Sequence, residues 1–392
     1  MNIRRYICIG LLLTLMVMIT GCAEPENNDE LPAQFYTRGM DPATLPLQVT
    51  EDRFPDPPYG SMTRRIGFAG QDLTGHDLSL VRAAMLASFS YDTLTRWPAA
   101  VRLPDGFDPE NWLDAARNPG LGVDYLHSQG YDGQGWAVAI LGGDVQREHE
   151  EFSGEVRFYP SQAVVGPDAD MAYQGMVTLS LLAGRTCGVA PAARLHYFTV
   201  QQGQHLFLRY ADTLDQILEL NGTLPAGEKI RLVVITDGLS PEDEDWNVWE
   251  ESLIRAEEAG LYVLYANNAA EKGFFWGGCP PYRDRNQAAN YEPAGILRGG
   301  AIEEGGVLVP GDYRTTALHT GTDVYMYWAD GGFSWAVPYL GGLTLMAWQA
   351  APELTLDQIL DMMKETGDDT EFEWKVLNPV RFIFAAETRG SP

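Results

Sequence analysis

Positive charge is scarce in this sequence. Lysine occurs four times, and 27 basic residues face 54 acidic ones, for a formal net charge of −27 and a pI near 4.4. That balance excludes nucleic acid as a partner, as it does an anionic lipid surface gripped by basic patches. Thiols are equally few: Cys8, Cys22, Cys187 and Cys279 are the whole set, with no C-x-x-C or H-x-x-x-H spacing, so nothing supports a structural zinc site. Export would permit a Cys187–Cys279 disulfide, and two buried free thiols fit the sequence at least as well. What is plentiful is apolar material, 45% of 392 residues with 11% aromatic. That is ample for one large core, alone or beside a smaller one.

Arg4 and Arg5 precede the apolar run "ICIGLLLTLMVMIT", which ends at "ITGC". The run is shorter than the roughly 20 residues a spanning helix needs, so residues 1–21 read as an export signal. "ITGC" resembles a bacterial lipobox. The resemblance implies cleavage before Cys22, a lipid on its sulfur and a location on the extracytoplasmic side of a cell membrane. The alternative is an ordinary signal peptide in which Cys22 is incidental. Residues 22–58, acidic and then Pro-rich at "DRFPDPPYG", read as a tether or extended wrap.

Residues 59–115 read as a small cap-like segment. "QDLTGHDLSL" repeats Asp-Leu at a spacing of five, which weakly resembles a coil of a pentapeptide-repeat helix, but two repeats cannot make a solenoid. From 116 to 388, apolar runs of strand length alternate with helical stretches. "GWAVAIL", "ARLHYFTV", "KIRLVVI" and "LYVLYA" read as strands, and "FLRYADTLDQILEL", "DWNVWEESLIRAEEAG" and "TLDQILDMMKET" as amphipathic helices. "WAVPYLGGLTLMAWQA" is apolar all round and reads as a central buried helix. The order predicts an α/β domain with a parallel sheet.

Four strings in that domain carry a more specific resemblance. "GFSWAVPYLGG" is similar to G-T-S-M-A-x-P-x-x-x-G, "QGMVTLSLLAGRTCGVAP" to an H-G-T segment and its helix, "GWAVAILGGDVQREHEEF" to a V-A-V-x-D-[ST]-G strand, and "LYVLYANNAAEKG" to the strand and loop that carry an oxyanion asparagine. Together they resemble the subtilisin-like serine peptidases. The resemblance implies a three-layer fold with a mainly parallel central sheet and helices on both faces. It places Ser334 at the nucleophile, Asn268 at the oxyanion position, Pro338 in the first turn of the serine helix and His149 at a histidine the family keeps outside catalysis.

Two catalytic positions depart from the pattern: Gly142 stands where the family has aspartate, and Gln174 where it has histidine. A serine hydroxyl is a weak nucleophile until a base takes its proton. A glutamine amide is no such base near neutral pH, so Gln174 can at most orient the hydroxyl. Gly142 offers no carboxylate to stabilise an imidazolium. Sliding the strand to bring in Asp144 breaks the match at Val145 and His149. His196 and His319 are further candidate bases, more simply read as ordinary core or surface histidines, and no lysine falls in a matched motif. Phe333 and Trp335, flanking the serine, read as core filling.

The expectation is therefore a lipid-anchored, exported pseudopeptidase with a binding, sensing or scaffolding role, its partner a peptide or protein, an active subtilase among them. The alternative is a slow serine endopeptidase using Ser334 and Asn268. No cofactor is expected. Structural calcium is conceivable at "PEDEDW", which lacks the spacing of an EF-hand loop. "NGT" at 221–223 has the form of a glycosylation sequon.

Overall fold

The computed structural model describes residues 35–152, 156–160, 169–201, 203, 205–238, 242, 244–295, 306–371 and 374–390, with the backbone alone at 169–172. The signal, Cys22 and residues 23–34 of the tether lie outside these residues.

Five parallel strands form the central sheet: β1 (Ala137–Gly142), β2 (Val156–Tyr159), β3 (Arg194–Thr199), β4 (Ile230–Ile235) and β5 (Tyr262–Tyr265), in the order β2-β3-β1-β4-β5. The runs that read as continuously apolar are those that bury both faces. Val138 and Ile140 of β1, with Leu232 and Val234 of β4, face α1 (Ala169–Ala183) and the long central helix. Ala137, Ala139 and Leu141, with Val233 and Ile235, face α2 (Leu206–Thr223) and α3 (Trp246–Glu258). The predicted three layers, helices on both faces of a parallel sheet, are the architecture observed.

After β5 the chain makes a short helix, α4 (Ala266–Glu271), and strand β6 (Phe274–Gly278), which pairs in parallel with β7 (Val307–Asp312). A hairpin follows, β8 (Arg314–Ala317) with β9 (Tyr325–Trp328). Then comes α5 (Phe333–Ala350), buried from Trp335 to Trp348, and the peripheral helices α6 (Leu356–Glu365) and α7 (Pro379–Gly390). Gly342 lets α5 approach the sheet-covering layer: a Cβ there would stand 2.6 Å from that of Val189. Pro338 is the sixth residue of α5, in its second turn rather than its first. Among the described residues no helix is long and apolar enough to cross a membrane.

The N-terminal region departs from the sequence reading. Residues 35–58, expected as part of a tether, are folded: Phe35, Met40, Leu45, Val49 and Phe54 are buried, and Gln48–Thr50 pairs with Asp77–Leu80. The repeated Asp-Leu pairs bury Leu73 and Leu78 in one cluster, while Asp72 and Asp77 each accept the backbone N–H two residues on. That cluster is not self-contained. It includes Tyr325 and Tyr327, and Tyr91–Asp92 adds a third strand to the β8–β9 hairpin. Composition shows no boundary because the joint is itself apolar.

Candidate functional site

The sheet order reverses between β1 and β4, and in parallel α/β sheets the crevice beyond the strand ends at such a point is where ligands bind. Gly142 ends β1, Thr236 follows β4, and α1 and α5 bring Gln174 and Ser334 to the same edge. Gly142, Gln174 and Ser334 are each half-buried among buried neighbours.

Ser334 is the second residue of α5. Gly332, just before the helix, has φ 149° and ψ −172°, a region essentially restricted to glycine. Gly331 cannot take a side chain either, since a Cβ would meet the Gly311 oxygen at 2.0 Å. The serine is thus presented by a tight glycine turn. Its Oγ donates to the carbonyl of Thr236 at 3.0 Å. Thr236 Oγ1 lies 3.3 Å from Thr178 Oγ1, and Thr178 donates to the Gln174 carbonyl at 2.9 Å. The link from Ser334 to Gln174 therefore runs through two threonines and the backbone. The Gln174 amide oxygen is buried without a hydrogen-bond partner among the described residues.

The space in front of Gly142 is filled. Tyr197 reaches up from β3 on the same face and donates its hydroxyl to the Gly143 carbonyl at 2.5 Å. A Cβ on Gly142 would stand 2.7 Å from that hydroxyl, and one on Gly175 would stand 2.3 Å from it. A phenol occupies the place an aspartate would need. Burial raises the Tyr197 pKa far above its ordinary value, with the carboxylates of Asp144 and Asp237 adding to the effect, so it stays a neutral donor.

Asn268 is committed elsewhere. Its Oδ1 accepts from Tyr265 N at 2.9 Å and its Nδ2 donates to the Val263 carbonyl at 2.8 Å, tying the start of α4 to the end of β5. Asp144 is a loop residue that accepts its neighbour's N–H and pairs with Arg147. His149 is fully buried. Its Nδ1 accepts from Glu151 N, so Nε2 carries the proton and donates to the Val324 carbonyl, and burial lowers its pKa.

His196 projects from the opposite face of β3, where it meets the Tyr159 hydroxyl, and burial pushes its pKa down to about 4. His319 is likewise pushed down to about 4 by burial, packs against Phe35, and has no hydrogen-bond partner on either ring nitrogen among the described residues. Neither touches Ser334. Phe333 and Trp335 are core residues, as expected. Cys187 and Cys279 are buried free thiols. The sequon residue Asn221 bonds both backbone groups of Ile230 through its side chain.

Sequence reading missed Tyr197, Thr178, Thr236 and Asp237. Asp237 is half-buried beside Thr236, accepts the Tyr210 hydroxyl, and has its pKa raised by burial. Of the "PEDEDW" acids, Glu244 and Asp245 come together with His205, the set among the described residues whose ligand atoms cluster closely enough for a metal ion. An imidazole in that set suits calcium poorly.

No family model matches the sequence, and no curated protein matches it. Solved structures resemble it at low identity. The prenylagaramide maturation protease PagA is 16% identical with a TM-score of 0.47, covering 68% of this chain and 98% of that one. The PatG macrocyclase in complex with peptide is 14% identical with a TM-score of 0.47, covering 68% and 95%. The patellamide maturation protease PatG is 13% identical with a TM-score of 0.43, covering 62% and 86%.

Proposed function

We propose that this chain is a subtilisin-like pseudopeptidase, exported and held to a membrane through a lipid on Cys22, whose crevice binds a peptide or protein without cleaving it. The observation that carries the reading is the filled space at Gly142: the Tyr197 hydroxyl stands 2.7 Å from where a Cβ would go, too close for an aspartate side chain to start there without a shift. Proton transfer fails for a second reason. The Ser334 hydroxyl gives its hydrogen to a backbone carbonyl, which cannot carry it away, and Gln174 is no base.

The rival, a slow serine endopeptidase, would depend on Asn268 as oxyanion donor. Its Oδ1 and one of its two Nδ2 hydrogens are held by local backbone bonds, which leaves a single amide hydrogen for that role. Restoring the triad tests the reading. Gly142→Asp with Gln174→His is expected to give no peptidase activity on its own. The same pair with Tyr197→Phe, which removes the obstructing oxygen, is expected to gain it. Activity from the double variant with Tyr197 intact would contradict the role given to that residue.

A further inference from the structure

Two neighbouring buried arginines have no carboxylate partner among the described residues. Arg314 is fully buried and Arg285 is 5% exposed. Arg314 donates from Nε and Nη2 to the carbonyls of Ala116, Arg117 and Cys187, and Arg285 from Nε and Nη1 to those of Asn118, Cys279 and Tyr313. The two guanidinium groups thus share the successive carbonyls of 116–118. One binds the residue immediately before the other. In each group one terminal nitrogen is buried with no partner among the described residues: Nη1 of Arg314 and Nη2 of Arg285. The phenols of Tyr291 and Tyr339 flank the pair, donating to Arg285 O and Gly120 O, with Arg314 over the Tyr339 ring at 5.9 Å.

Buried charge is ordinarily paired, because removing an ion from water costs several kcal/mol. The buried carboxylate on the far side of Cys187 pairs with neither arginine among the described residues. Glu151 sits across the Cys187 peptide, saturated by the N–H groups of Thr186 and Cys187 and by the hydroxyls of Thr186 and Tyr325. Deprotonation is no escape. Burial, with Arg285 adding to it, pushes Arg314 down to about 10, which still leaves it cationic at neutral pH.

We propose that a halide-sized monovalent anion binds in the compartment between Arg285 and Arg314, taking hydrogen bonds from the two orphaned guanidinium nitrogens. The site joins the N-terminal region at Ala116, the β8 strand and the central helix through Tyr339, so occupancy reinforces the joint between the two apolar clusters.

The full-length protein in detergent is melted in sodium chloride and in sodium gluconate at equal ionic strength. Melting temperature is expected to rise saturably with chloride, by about 3–6 °C, and the rise to vanish in Arg314→Met. Crystals of the unaltered protein soaked in bromide give a second readout that needs no variant. One anomalous peak between the two guanidinium groups is expected. Identical melting in the two salts, or waters alone on both orphaned nitrogens in the bromide map, would overturn the proposal.

Discussion

At the scale of single residues, the site is decided by what a side chain can do with a proton and by what space it leaves. Gly142→Asp alone is expected to destabilise the protein by about 1–3 kcal/mol, because the new Cβ meets the Tyr197 oxygen at 2.7 Å. Tyr197→Phe is expected to relieve most of that strain, leaving the ring carbon at an ordinary 3.6 Å. A double-mutant cycle in urea measures the coupling, and additive costs would refute the steric account. A second residue-scale expectation concerns pH. Asp312 is buried beside Asp330 at the root of the Ser334 turn, and burial first, then Asp330, pushes its pKa up to about 7. Its folded pKa lies above its unfolded value, so the stability it contributes is fully present below about pH 4 and is lost as pH rises toward 7. Asp312→Asn keeps an acceptor for Tyr59 and Gly331 N. It should therefore gain stability relative to the parent between pH 5 and pH 8. Parallel curves for the two proteins across that range would count against the assignment.

At the scale of elements, the sheet and its helices were legible in the sequence because both-face burial writes itself as unbroken apolar runs and peripheral helices keep their period. The central helix was equally plain. Other features were hidden for physical reasons. Tyr197 reads as one more apolar strand residue; register sets it beside Ile140, and only the reach of its side chain brings the hydroxyl to Gly142. Asn268 was placed by its string alone, and no spacing reveals that its side chain bonds the backbone at Tyr265 and Val263. Residues 35–58 look polar and Pro-rich, but five well-spaced apolar side chains suffice to fold them down. Helix glycines make a contrasting pair for testing packing. Gly342→Ala drives a Cβ to 2.6 Å from Val189 and is expected to cost about 1–3 kcal/mol. Gly222→Ala, near the end of α2 and facing open space, is expected to stabilise by about 0.5–1 kcal/mol. Equal effects in thermal melts would mean that α5 is less tightly seated than the contact implies.

At the scale of the whole molecule, the N-terminal region is part of the α/β body. Tyr91 is buried against Tyr327 with ring centroids 4.9 Å apart and against Trp97 at 5.2 Å. Tyr91→Ala is therefore expected to cost about 3–5 kcal/mol and to broaden unfolding of the entire chain rather than release a separate cap. Two transitions in calorimetry, one of them unchanged by the substitution, would argue for an independent unit. The acidic surface and the proposed anchor suit a protein tethered at a membrane with its crevice presented to peptides. The central claim is that this crevice holds a serine with no path for its proton. It is tested most directly by treating the purified protein with a fluorophosphonate probe at neutral pH and mapping the adduct. The account expects Ser334 to remain unlabelled. Stoichiometric labelling at Ser334, abolished by Ser334→Ala, would contradict it.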